Sequence, residues 1–354
     1  MADIQLRFNK DMLVLSTPVE AQLKRDGMDF ERDNELALLI EPEILHEAYA
    51  LEVAVGAQCI VADTANLTPA RLAHSRCNAS AQELADAALA VVNELTPQHV
   101  LVELAPCGLP LDASSADSLN ENRLQYERAA RTFAHLESQF DAFFLNGFTD
   151  TTDIKCALMG MRKVTDKPIF VSVDLLATAA VANTASDEIA SAAKEAPIAA
   201  KEFTLGGKGR ETIKDAATVI AEYGAQVAGF TAAVDADLAH AIVEEVKATC
   251  MLPILVQLNV AKVDPEQEKP TLENPYFEPD TMVEAAERLQ AAGVQFLRAV
   301  GEATPSYTGA LVAATMGEDV AIESFEPEVK FTEDHDLDEL AKKLRARLDE
   351  ALGA

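Results

Sequence analysis

At 354 residues the chain is long for one compact domain, and an apolar fraction of 49% suffices for a large core. Acidic residues outnumber basic ones 59 to 29, a net charge of −30, which argues against nucleic acid and anionic membrane as partners because phosphate binding needs a basic footprint. Such a charge reads as a strongly solvated surface. With Trp absent and aromatics at 5%, Leu, Val, Ile and Ala must fill the interior.

Strand-like runs occur in chain order at Met12–Ser16, Gln58–Ala62, His99–Leu104, Asp141–Asn146, Pro168–Val173, Gln226–Thr231, Pro253–Asn259 and Val294–Val300. Most are continuous apolar runs without period-two alternation, the pattern of parallel strands buried on both faces. Helical stretches fall between them. Glu41–Val55 sets Ile44, Leu45, Ala48, Leu51 and Val55 on one face, and Ser80–Leu95 does so with Leu84, Ala87, Ala88, Val91 and Val92. Glu121–Ser138, Asp150–Arg162, Glu211–Tyr223, Asp235–Ala248, Pro279–Ala292 and Pro305–Thr315 supply the rest. Pro279 and Pro305 suit helix starts, and Gly224 and Gly293 suit helix ends. Eight β/α units in one chain predict an α/β fold, a (β/α)8 barrel of the TIM type.

Two stretches fall outside this period. Leu175–Gly209, after strand five, is too long for a simple βα loop and reads either as a lid or as a surface insertion. Its Gly-Gly-Lys-Gly end lacks the spacing of a phosphate-binding loop. The tail 321–354 begins acidic and then places Leu337, Leu340, Leu344, Leu348 and Leu352 on one helical stripe. The expected organisation is a barrel over 1–320, then an acidic tail and a C-terminal amphipathic helix over 321–354.

Cys59, Cys77, Cys107, Cys156 and Cys250 are odd in number and widely spaced, which indicates neither a disulfide framework nor a zinc knuckle. The N-terminus lacks a basic-then-apolar leader, and no apolar run approaches the ~20 residues of a membrane span. A cytoplasmic protein is expected.

Barrel enzymes do their chemistry where the strands end. Polar residues there are Ser16, Asp63, Thr64, Glu103, Asn146, Asp174, Thr231, Gln257, Asn259, Arg298 and Glu302. Of these, Asp63, Thr64, Glu103, Asn146, Asp174, Thr231, Asn259 and Arg298 are the candidate substrate-binding residues. An Arg fork suits a ligand carboxylate and Asp63 or Asp174 an amine, so a small zwitterionic or cationic molecule is the expected partner. Internal roles stay open: Asp63 as a cap, Arg298 paired with Glu302 or Glu103. His46, His74, His99, His240, Cys59 and Cys107 have no local metal-ligand spacing. Asp63, Glu103 and Asp174 would favour a hard ion, but no metal is expected. No strand end carries a Lys for Schiff-base chemistry.

Several segments together resemble the homocysteine S-methyltransferase family. Leu13-Val14-Leu15-Ser16-Thr17 with Gln22-Leu23 and Gly27 is similar to its opening strand and turn. Glu41-Pro42-Glu43-Ile44 through Tyr49 resembles its Pro-Glu-x-Val-x-x-x-His-x-x-Tyr helix. Gly56-Ala57-Gln58-Cys59-Ile60-Val61-Ala62-Asp63-Thr64 is similar to its second strand, and Ala105-Pro106-Cys107-Gly108 to its Gly-Pro-x-Gly. Phe148-Thr149-Asp150, Gly229-Phe230-Thr231-Ala232, Leu258-Asn259-Val260-Ala261 and Ala303-Thr304-Pro305 continue the match in order through strand eight.

The resemblance implies methyl transfer to homocysteine, whose thiol zinc would ionise through three Cys ligands. At those positions this chain carries Ala232, Val300 and Gly301, so the zinc expected for the family has no ligands here. Arg298 and Ala299 replace the preceding glycines, Ser16-Thr17 the Asp-Gly turn, and Asn146 the Glu that faces the substrate amine. The resemblance thus implies a divergent methyltransferase-like protein, acting on a small amino-acid-like or thiol acceptor without the zinc-thiolate site. The alternative is a non-catalytic small-ligand-binding or regulatory barrel associated with a methyltransferase or corrinoid partner protein.

Overall fold

The computed structural model describes residues 3–25, 35, 37–75, 77–176, 203–207 and 209–316. The tail 321–354, with its expected helix, and most of the stretch after strand five lie outside the described residues. The strands are β1 (Leu13–Leu15), β2 (Cys59–Ala62), β3 (His99–Leu104), β4 (Ala142–Phe148), β5 (Ile169–Asp174), β6 (Val227–Ala232), β7 (Ile254–Val260) and β8 (Phe296–Gly301). All pair in parallel in sequence order, and β8 returns to β1 through Leu13↔Phe296 and Leu15↔Arg298, closing the barrel.

The helices follow the strands: α1 (Glu20–Arg25), α2 (Pro42–Ala54), α3 (Pro69–Leu72), α4 (Ala81–Glu94), α5 (Ala116–Thr132), α6 (Thr151–Met161), α7 (Ile213–Glu222), α8 (Ala236–Thr249), α9 (Val283–Ala291) and α10 (Pro305–Met316). Their starts are written in the sequence. Ser80 with Glu83, and Thr212 with Asp215, form reciprocal capping boxes, and Ser115, Asp150 and Asp235 each accept from a first-turn amide. Such a cap contributes ~1 kcal/mol. Gly224 and Gly293 follow helix ends with φ of +80° and +82°, the left-handed turn a glycine makes without strain.

Expected and observed boundaries differ where local geometry intervenes. α5 begins at Ala116, five residues before Glu121, because Ser115 caps it, and a separate 3-10 turn over Ala134–Leu136 follows. Pro279 opens a 3-10 turn, Pro279–Met282, that leads into α9. Strand β4 runs past Asn146 to Phe148 because its register with β5 shifts between Leu145 and Phe148. A bulge of this kind re-aims a side chain.

The core has two layers. The outer one lies between strands and helices and includes Val14, Ile60, Val102, Leu145, Val171 and Leu297. The inner one fills the barrel with Leu13, Leu15, Cys59, Val61, Leu101, Phe144, Phe170, Leu255 and Phe296. At the floor, Phe8 packs against Phe170 and Phe296, with ring centroids 6.0 and 5.8 Å away. Side chains alternate along a strand, so positions two residues beyond these inner ones also face inward. Counting on by twos reaches Asp63, Glu103, Asn146, Ser172, Gln257 and Arg298. The apolar filling therefore gives way to a polar layer at the strand C-terminal end.

Candidate active site

Arg298 on β8 is the anchor of that layer, with only 2% of its surface exposed. A buried guanidinium needs partners. Its Nε donates to the Ser16 carbonyl at 2.9 Å, and its Nη1 reaches Glu103 Oε2 at 3.4 Å and Gln257 Oε1 at 3.3 Å. The ring of Phe144 lies 5.6 Å below the guanidinium carbon, a cation–π arrangement. This places Arg298 against Glu103, one of the two internal partners open from sequence.

The cation sets the polarity of everything around it. Because Gln257 turns its oxygen to Arg298, its amide nitrogen faces three acceptors: Asn146 Oδ1 at 2.7 Å, and Ser172 Oγ and Thr231 Oγ1 at 2.8 Å each. Asn146 in turn donates from Nδ2 to Glu103 Oε1 at 2.8 Å. The bonds close a ring, Arg298 to Gln257 to Asn146 to Glu103 and back, with every donor directed away from the cation and toward the carboxylate. Networks so ordered strengthen each member.

Asp174 ends β5 beside this ring. Burial pushes its carboxyl above the usual range, the Thr231 hydroxyl bond opposes that shift, and the nearby Glu103 charge adds to it. Asp174 Oδ2 also lies 3.6 Å from where a Cβ on Gly147 would stand, ordinary contact distance, so Gly147 borders the carboxyl. Thr64, buried after β2, donates from Oγ1 to the backbone carbonyl of Glu103 at 2.8 Å, tying the two strand ends together. The Asp63 amide donates to the Tyr49 hydroxyl at 2.8 Å. Asn259 follows two residues beyond Gln257 at the β7 end, on the same inward side by strand alternation.

The structure thus joins Glu103, Asn146, Thr231 and Arg298 directly, with Asp174 attached through Thr231. Asp63 and Thr64 stand at the neighbouring strand end, and Asn259 above. Ser172 went unread from sequence, although one serine in Ile-Phe-Val-Ser-Val is a signal that an apolar strand has a polar inward position. Behind β1, Glu52 of α2 also went unread. It is 2% exposed and accepts from the Thr17 hydroxyl, while its second oxygen has no hydrogen-bond partner among the described residues. Burial lifts its carboxyl to about 7, against the opposing effects of Thr17, Thr308 and Arg298.

Ala232, Val300 and Gly301 close β6 and β8 without a ligating side-chain atom. Among the described residues no three His, Cys, Asp or Glu side chains converge to hold a metal ion. The side chains at these three strand ends offer no donor that fits a bound zinc. No helix among the described residues is long and apolar enough to cross a membrane.

Comparison with known proteins places this geometry in a family. The metallated form of the homocysteine methyltransferase MmuM from Escherichia coli superposes with a TM-score of 0.62 at 14% identity, over 86% of this chain and 96% of that one. Its apo form gives 0.58 at 13% identity with the same coverage. At such identity the likeness speaks to the fold. No curated protein sequence matches the chain. The model of the family described as homocysteine S-methyltransferase matches residues 13–315, which spans all eight strands and the helix that follows them, and the chain belongs to that family.

Proposed function

We propose that this protein transfers a methyl group to a small amino-acid-like or thiol acceptor bound at the barrel mouth, without a metal-bound thiolate. The carrying observation is the ordered polar layer of Arg298, Gln257, Asn146 and Glu103 at the strand ends of a chain in this family. Glu103 has both carboxylate oxygens occupied by donors from within the barrel. Asp174 accepts from Thr231 and is lifted by burial, which makes it the better proton acceptor at the mouth.

In the reaction so read, Asp174 takes the acceptor proton. The freed sulfur lone pair forms the new S–CH3 bond, and the donor heteroatom leaves with the pair from its broken bond to methyl. On this reading Asp63 and Glu103 receive the acceptor ammonium. The donor class is an onium or activated methyl carrier such as S-methylmethionine, a folate or a corrinoid protein. The protein acts in the cytoplasm on this reading, with residues 1–320 as the catalytic barrel and 321–354 as an accessory tail.

Incubating the protein with homocysteine and each donor in turn tests it. Methionine should form in proportion to protein and fall at least ~10²-fold in Asp174→Asn, the usual weight of a general base. Formation at background with every donor sinks the proposal. The lack of three converging His, Cys, Asp or Glu side chains among the described residues favours a second reading, a non-catalytic barrel that binds a small ligand and regulates a methyltransferase or corrinoid partner. Thermal stabilisation by homocysteine or betaine without turnover would select it.

A further inference from the structure

Gly301, the last residue of β8, has a φ of +75°, a left-handed backbone that strains any residue bearing a Cβ. Its register partner is Val260 on β7, and the following amide, that of Glu302, donates to the Val260 carbonyl at 2.9 Å. A Cβ added to Gly301 would stand 2.4 Å from that carbonyl oxygen and 2.5 Å from Asn259 Oδ1. The Asn259 side chain can swing aside. The carbonyl cannot, because strand pairing fixes it.

Three positions before Gly301 on the same strand, Arg298 is buried under the mouth and pinned by Ser16, Glu103 and Gln257. The strand that carries this anchored arginine is thus held in place up to Gly301, and the steric closure there acts whether or not any cysteine is present.

We infer that the end of β8 is rebuilt for a metal-free mouth, so that restoring cysteines at Ala232, Val300 and Gly301 does not restore a zinc-thiolate site. The inference rests on the family reading only for the choice of these three positions. Its physical content is that the backbone this chain adopts at position 301 admits no side chain.

The test uses the full chain in five forms: the parent, A232C/V300C, the triple variant A232C/V300C/G301C, and the single variants Gly301→Cys and Gly301→Ala. Each is dialysed against zinc and assayed for bound metal, then loaded with cobalt(II) to look for thiolate-to-metal charge-transfer absorption. Melting temperature is read alongside. A232C/V300C should melt close to the parent. Gly301→Cys should melt several degrees lower, and the triple variant should hold no zinc above background and show no cobalt–thiolate band.

A triple variant with one tightly held zinc per chain and the parental melting temperature overturns the inference. Should the triple variant not fold, the single variants decide. Lowered melting of both Gly301→Cys and Gly301→Ala upholds the inference, and parental melting of Gly301→Cys overturns it. No readout depends on methyl transfer, so an inactive parent would remove the proposed function and leave this result standing.

Discussion

Replacing Glu52 by Gln should stabilise the protein at pH 8 and leave it nearly unchanged at pH 4. The carboxyl is raised from 4.5 to about 7, chiefly by burial. A carboxyl whose folded value lies above its unfolded one favours the folded state fully below pH 4.5. That contribution drains away between pH 4.5 and 7, because only the unfolded chain gives up its proton in that window, and it is gone above 7. The gap corresponds to ~3 kcal/mol at 1.36 kcal/mol per unit. Gln is uncharged and close in shape: its oxygen can still accept from Thr17, and its nitrogen would face the Thr308 hydroxyl oxygen. Over ~300 ordered residues at ~2.1 cal/mol/K each, ~3 kcal/mol equals roughly 5 °C in Tm. Differential scanning calorimetry of both proteins from pH 4 to 8 should show Tm curves that meet in acid and diverge toward neutrality. Parallel curves would refute the reasoning, because they would mean that Glu52 ionises alike in both states.

Other outcomes follow from the same geometry. The acid limb of the rate–pH profile for methyl transfer should lie above the usual aspartate value of about 3.9 and disappear in Asp174→Asn, since burial raises that carboxyl. Arg298→Met should destabilise the fold by roughly 3 kcal/mol or more by stranding Glu103 and Gln257, and a double-mutant cycle with Glu103→Gln should recover part of the loss, as denaturant melts would show. Ser80→Ala should cost about 1 kcal/mol by the same assay, and Glu83→Ala in that background should add little, because both serve one capping box.

Much of the barrel was legible because parallel strands buried on both faces leave long apolar runs, and because caps such as Ser80 and Asp150 mark helix starts. The same double burial hid which strand residues face inward. Ser172 looks like an interruption of an apolar run until the pairing of β5 with its neighbours fixes its side. The buried face of α2 is turned by one step from the one its apolar pattern suggests. The sequence suggests Ile44, Leu45, Ala48, Leu51 and Val55, whereas the barrel buries Leu45, Ala48, Tyr49 and Glu52. That stripe has the same helical spacing, but it contains a carboxylate, and hydrophobicity alone cannot rank a glutamate as inward. Arg298 was legible as a candidate but not as an anchor, since its partners arrive from β1, β3 and β7.

The floor of the barrel has a kinetic consequence. Phe8 seated on Phe170 and Phe296 stops the floor of the barrel with aromatic rings, and in the proposed reaction both reactants enter from the opposite end, where the strands finish. Two reactants sharing one doorway queue: the molecule lying deeper goes in first and comes out last. For the proposed reaction this predicts a compulsory order of addition. An excess of the outer reactant should then inhibit by trapping the inner product beneath it.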